Sequence, residues 1–243
     1  MEHMELYEAI FKRRSVRRYA GPIDEGTMEE VESFARSLKP LHPGIRTELR
    51  VLNDDGVRGP FKVSAPHFLA IYSEEADGHA ANAGFMLQQM DLFLSSRGIG
   101  SCWQGGPRPT GDAKKVSGLG FVISLAFGVP GEDVHRRSTA EFKRKPLEDI
   151  TDIGGMNDIL EAARLAPSGM NRQSWYFTGG GDVIRVHYAR SMLTDQMNRV
   201  NAGIALCHLW LAALHEGSAA ELVREEGQDA PRGFSYVASV MLK

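Results

Sequence analysis

Only two cysteines occur in 243 residues, Cys102 and Cys207, and no CxxC or CxxH spacing surrounds them. That excludes a disulfide framework and a four-ligand zinc site. Both lie in apolar sequence and are expected to be buried free thiols, Cys102 included. Long apolar runs are lacking too. The most apolar stretch, AGIALCHLWLAALHEG, is interrupted by His208 and falls short of the roughly 20 residues that cross a bilayer. The first residues, MEHMELYEAIFKRRS, carry charges and no apolar leader core, so a cytoplasmic protein without membrane association is expected. Neither sign of charge dominates: 28 basic against 31 acidic residues leave a net charge of -3, which gives no reason to expect nucleic acid as a general partner. No convincing catalytic triad offers a side-chain nucleophile.

What the sequence does contain is an echo of itself. MEEVESFAR from Met28 and MNDILEAAR from Met156 share apolar residues at helical spacing, and the first carries a capping signal in Thr27 and Glu30. A strand, a turn and a strand follow in each half, turning at Asp55-Gly56 and at Gly179-Gly180-Gly181. Without a following Lys-Ser or Lys-Thr, the triplet is a hairpin turn and no phosphate loop. NAGFMLQQMDLFLSSRG from Asn82 then aligns with NAGIALCHLWLAALHEG from Asn201, coinciding at Asn, Ala, Gly, two Leu and the closing Gly. Both helices are apolar around most of their circumference and are expected to pack on each other across a pseudo-twofold. Each half closes with a strand after Gly-Phe, at Gly120 and Gly233. Residues 1–150 and 151–243 are therefore expected to be two halves of one compact unit.

The halves differ in what they carry besides this scaffold. Only the first has FKRRSVRRY at 11–19, either a basic helix end answering the helix dipole or an anion clamp. Only the first has RGIGSCWQGGPRP, whose glycines let a backbone approach a flat ligand. The segment GVPGEDVHRRSTAEFKRKPLEDI is too long for a simple connection; it is a solvated linker or returns a second cation to the same anion. Only the second half has APSGMNRQSW, a helix end followed by small residues and amides with no cation close by in sequence. Each half lacks what the other supplies, so a composite site at their junction is expected.

In RRSVRRY, GIGSCWQGG, GVPGE, KRKPLE and APSGMNRQSW, taken together and in order, the chain resembles the FMN-dependent nitroreductase family, in the variety that fuses two half-repeats. The resemblance covers nearly the whole length. It implies an α+β fold of mixed, mainly antiparallel sheets with helices, and FMN held at the junction. The phosphate-binding residues fall on Arg13, Arg14 and Ser15, with Lys143 and Arg144 from the linker. The residue reaching the flavin's pyrimidine edge falls on Arg17, where it stabilises reduced flavin. The loop facing flavin N5 falls on Gln104, Gly105 and Gly106. The second half supplies Pro167, Ser168, Gly169, Asn171 and Gln173. Three departures stand out: Ser174 where Pro is common, Gly105 where an acid is common, and Phe142 in place of a second basic residue, with Lys143 as its substitute.

The resemblance implies two-electron transfer from NADH or NADPH to a small electron-poor acceptor, a nitroaromatic, quinone or similar, by a ping-pong mechanism. The flavin carries the redox work and the protein supplies orientation and electrostatics. No metal is required. The second half has no counterpart of Arg13 or of the Gly100 loop, so one FMN per chain is expected, and with both halves fused a monomer suffices. Two other readings are an FMN-binding storage, delivery or sensing protein without turnover, and a nucleic-acid binder using KRRSVRR and KRK. The second is disfavoured by the acidic balance elsewhere and the absence of interleaved aromatics.

Overall fold

Apolar periodicity sets the helices, and the positions of their caps set where they start. The computed structural model describes residues 2–225 and 227–243. Helix α1 (Glu2–Ile10) buries Leu6, Ala9 and Ile10, and a short strand β1 (Tyr19–Gly21) follows. Helix α2 (Glu25–Ser37) begins earlier than the Thr27–Glu30 signal suggests. Its N-cap is Asp24, whose carboxylate accepts from the Thr27 N–H at 2.9 Å and the Thr27 hydroxyl at 2.6 Å. A carboxylate answers the positive helix end better than a hydroxyl does.

The Asp55-Gly56 turn closes no hairpin. It carries the chain from β2 (Thr47–Asn53) into β3 (Val57–Arg58), yet the antiparallel partner of β2 is β4 (His67–Ser73). Asp54 explains the detour. Its carbonyl and carboxylate take the Lys62 ammonium at 2.6 and 2.9 Å, and the carboxylate also takes the Ala65 N–H at 3.1 Å. The intervening loop is thereby drawn off the sheet. After helix α3 (His79–Ser96) come β5 (Gly100–Gln104), β6 (Arg108–Pro109), which pairs with β3, and the long β7 (Gly120–Pro130). The first sheet runs β1-β7-β4-β2, with β5 also on β7. Strand β4 alternates as a two-faced strand should: Leu69 and Ile71 join the main core, while Phe68, Ala70 and Tyr72 join a smaller cluster with Leu52 and Val57.

The second half has helix α4 (Asn157–Arg164), a hairpin of β8 (Trp175–Gly180) and β9 (Val183–Ala189) turned at the glycine triplet as expected, helix α5 (Asp195–His215), and strands β10 (Glu221–Val223) and β11 (Phe234–Met241). Its sheet runs β10-β11-β9-β8. Among the described residues all the paired strands are antiparallel, and parallel contacts are confined to isolated bridges at Ser15–Ser101 and Thr151–Phe177. The architecture is α+β.

Helices α3 and α5 pack on each other at the centre, starting at His79 and Asp195, ahead of the NAG sequences at Asn82 and Asn201. A Cβ on Gly84 would lie 2.1 Å from the Val200 carbonyl oxygen, and one on Gly203 would lie 1.9 Å from that of Ala81. Only glycine allows backbones this close. The two echoed asparagines act alike. Asn82 Oδ1 accepts from the Leu41 and His42 N–H groups at 2.8 and 3.0 Å, and Asn201 Oδ1 accepts from Gly169 at 3.1 Å. Each therefore anchors the loop after its own half's short helix. His208 joins α5 to both neighbours: Nδ1 lies 2.8 Å from the Ala162 carbonyl and Nε2 3.1 Å from the Gln88 amide. Nδ1 carries the proton, Nε2 accepts, and burial pushes the ring's pKa down to about 3. Among the described residues no helix is long and apolar enough to cross a membrane.

Candidate functional site

A chain of three adjoining cavities runs along the junction of the halves. The basic cavity, about 390 Å³, is walled by Arg13, Arg14, Ser15 and Arg17 after α1, by Arg136, Lys143 and Arg144 from the linker, and by Pro167, Ser168 and Asn171 beyond α4. A narrow slot of about 130 Å³ shares Ser15, Arg17, Pro167 and Ser168 with it. The slot opens through Trp103, Gly105, Gly169 and Met197 into an outer compartment of about 580 Å³, which Gln104 and Gly106 also line. Met170 lines all three. The cations that APSGMNRQSW lacks in sequence are thus brought to it by the fold.

The basic end is built around a buried ion pair that sequence reasoning missed. Arg13 is 1% exposed, and its Nε lies 3.0 Å from Asp91 Oδ2, itself fully buried in α3. Asp91 also accepts from the Ser101 hydroxyl at 2.6 Å, and Arg13 donates to the Ser15 hydroxyl at 3.1 Å. One carboxylate therefore fixes the end of α1 to the start of β5. Asp91 had a visible signal: it is the only charged residue between His79 and Ser96. The matching position in α5 is Trp210.

Arg136 was also missed, because VHRRSTAEFKRKP has the composition of a solvated linker. Its guanidinium donates to the Arg13 carbonyl. The ring of Phe142, at the position where the family resemblance calls for a second cation, carries two guanidiniums instead: Arg136 at 4.1 Å and Arg144 at 5.6 Å from its centroid. Burial and the charges of Arg13 and Arg14 push Arg136 down to about 10. Burial and the charges of Arg13, Arg136 and Arg164 push Arg144 down to about 9. Glu141 is the one acid on this wall. Crowded, partly desolvated cations of this kind favour a bound anion.

The two amides of APSGMNRQSW do not both face the cavity. Asn171 lines the basic cavity, but its amide donates to the Lys143 carbonyl at 2.6 Å and its oxygen accepts from Arg144 at 2.5 Å. Gln173 lies outside the lining of all three cavities. It is buried, accepts from the Lys145 N–H at 2.6 Å and donates to the Asn171 carbonyl at 2.9 Å. Together they clasp the linker to the second half; a polar residue after a helix end reads the same way in sequence whether it meets a ligand or another loop.

The glycine loop is shaped by its neighbours. A Cβ on Gly106 would meet the Pro60 carbonyl at 2.5 Å, and one on Gly105 would meet Met197 Cε at 2.4 Å. Met197 therefore occupies the space that an acidic side chain at 105 would need. Gln104 spends its side chain on this loop's surroundings, accepting from the Val63 N–H at 3.0 Å. Ser174, in place of proline, accepts from the Asn201 amide at 3.2 Å. Cys102 is buried at the slot, and burial pushes its thiol pKa up, as expected of a packing residue.

Residues 5–213 match the family model described as "Putative TM nitroreductase". No curated protein matches the chain. Among solved structures, a "putative nitroreductase" from Thermotoga maritima aligns over 99% of this chain and 94% of its own, with a TM-score of 0.68 at 22% identity, which shows the fold. A nitroreductase family protein from Clostridium difficile aligns over 60% of this chain and 94% of its own, with a TM-score of 0.46 at 17% identity. Oxidized iodotyrosine deiodinase bound to FMN and 3-iodo-L-tyrosine covers 53% of this chain and 91% of its own, with a TM-score of 0.38 at 18% identity. Since the family model spans most of the sequence, the chain belongs to the nitroreductase family.

Proposed function

We propose that this protein is an FMN-dependent oxidoreductase that moves two electrons from NADH or NADPH to an electron-poor acceptor, a nitroaromatic, quinone or similar compound, in a ping-pong cycle. The observation that carries the proposal is the row of adjoining cavities, strongly cationic at one end and largely apolar at the other. Its residues fit FMN on two counts. Arg136 and Arg144 are depressed by burial and mutual repulsion, a state that a phosphate dianion relieves. At Gly106, backbone packs where a Cβ would stand, keeping the loop flat along the outer compartment.

Arg13, Arg14, Ser15, Arg136, Lys143 and Arg144 would hold the phosphate. Arg17 lines both the basic cavity and the slot, and would bring positive charge to the ring system's polar edge. Gln104, Gly105 and Gly106 would line one side of the ring, and Pro167, Ser168 and Gly169 the other. Asn171 and Gln173 would act by holding the linker in place. When bound, FMN supplies two-electron transfer in both directions. Trp103, Met170 and Met197 line the space left for donor and acceptor. Both halves contribute to this one cleft, so we also propose one FMN per chain and a monomer in solution.

The test is anaerobic mixing of the FMN-loaded protein with NADH and with NADPH. The flavin's visible absorbance should bleach and return when a nitroaromatic or quinone is added. Tightly bound FMN that neither nicotinamide reduces would overturn the proposal and leave storage, delivery or sensing.

A further inference from the structure

The outer compartment is lined by two arginines, Arg108 and Arg172, and by no Asp, Glu or Lys. The adjoining surface cavity, which shares Val122 and Gln196 with it, has Glu75, Asp77 and Asp195 on its wall against one arginine, Arg199, which is paired with Asp77 and Asp195. The positive charge of the outer compartment is therefore local. Arg108 is anchored: its Nη1 donates to the Gly105 and Pro107 carbonyls at 3.0 and 3.1 Å, and its guanidinium lies 5.1 Å from the Phe121 ring centroid. Its other edge has no partner among the described residues. The exposed Arg172 side chain makes no hydrogen bond or ion pair among the described residues.

The same compartment presents apolar side chains to water. Phe61 is 95% exposed, Met170 87% and Leu193 94%. Phe61 and Met170 also hold left-handed backbone, with φ of 58° and 52°, which bulky residues avoid unless their surroundings impose it. Large apolar side chains exposed around a concavity mark ligand contact.

We infer that the outer compartment selects planar aromatic compounds carrying an anionic group, with the ring against Phe61, Met170 and Leu193 and the anion on Arg108 and Arg172. The inference rests on the proposed oxidoreductase function, in which donor and acceptor use this space in turn. A guanidinium recognises carboxylate and phosphate oxygens alike. Two sources supply that chemistry: a carboxylate on the acceptor, or the pyrophosphate of the nicotinamide donor.

Calorimetric titration of the holoprotein with its flavin oxidised separates them, using two matched pairs that cannot reduce it, 4-nitrobenzoate against 4-nitrobenzyl alcohol and NAD+ against nicotinamide riboside. The anionic member of at least one pair should bind about tenfold tighter at low salt, equivalent to ~1.4 kcal/mol, and the ratio should shrink as salt is added. Arg172→Glu should abolish or reverse the preference, and Arg108→Gln should reduce it. A preference in the first pair alone assigns the arginines to the acceptor, and in the second alone to the donor. Equal affinities in both pairs, or a preference that survives both substitutions, overturns the inference. Binding is read without turnover, so a flavin that fails to be reduced would contradict the proposed function and still leave this preference measurable.

Discussion

Asp91→Asn tests the foundation of the basic cavity. At 3.0 Å and an effective dielectric of about 20, the Asp91–Arg13 attraction is roughly 5–6 kcal/mol. The amide has the same shape and can still turn its oxygen to Arg13 Nε and its nitrogen to Ser101 Oγ. What it cannot replace is the charge. An uncompensated buried guanidinium costs about 3–5 kcal/mol, and in a chain of this size that lowers Tm by on the order of 10 °C. Thermal unfolding of the flavin-free variant, with and without phosphate, is the assay. Because the substitution makes the cavity more positive, phosphate should raise the variant's Tm more than the wild type's. The double variant Asp91→Asn, Arg13→Gln should lose less than the two single variants combined, since each removes a partner of the other. A loss below about 1 kcal/mol, or strict additivity in the double variant, would refute the argument, because Arg13 would then not depend on Asp91.

Three further outcomes follow from the packing and the charges. Gly203→Ala should destabilise by about 1–3 kcal/mol or more through overpacking against the Ala81 carbonyl, outweighing the ~1 kcal/mol of helix propensity that alanine gains; Gly26→Ala, whose Cβ comes no nearer than 3.4 Å to Asp24, should not destabilise, and urea unfolding separates the two. Burial holds His208 near a pKa of about 3, and burial with Arg185 holds His187 near about 4, both below the unfolded value of about 6.5. The unfolded chain therefore binds the extra protons, and stability present above about pH 6.5 is lost as pH falls, by about 2 kcal/mol per ring at pH 5; equal urea midpoints at pH 7 and 5 would contradict this. Arg144→Gln should weaken FMN binding by about ten- to a hundredfold through loss of a charged donor and flatten its salt dependence, as read by fluorescence titration of FMN.

The helices and the closing strands were legible because burial leaves a strong mark: α3 and α5 are apolar nearly all round, and β7 and β11 begin within the Gly-Phe pairs at Gly120 and Gly233. Hydrogen-bond allocation leaves a weaker one. Asp54 has the composition of a hairpin turn but is committed to Lys62 and Ala65, so β2 passes over β3 to pair with β4. At the site, the basic clusters and the glycine loop were legible by residue type. Gln173 was expected at the cofactor because an amide looks the same facing a ligand or a neighbouring loop, and only the fold shows that it holds Lys145. Arg136 and Asp91 both act on Arg13, which is far from each of them in sequence, and no local pattern reports such a pairing.

The most direct test of the central claim, one composite flavin site built from both halves, is the FMN content of the reconstituted protein together with its mass in solution. The account predicts one FMN per chain in a monomer. Two FMN per chain, or FMN bound only by a dimer, would contradict it.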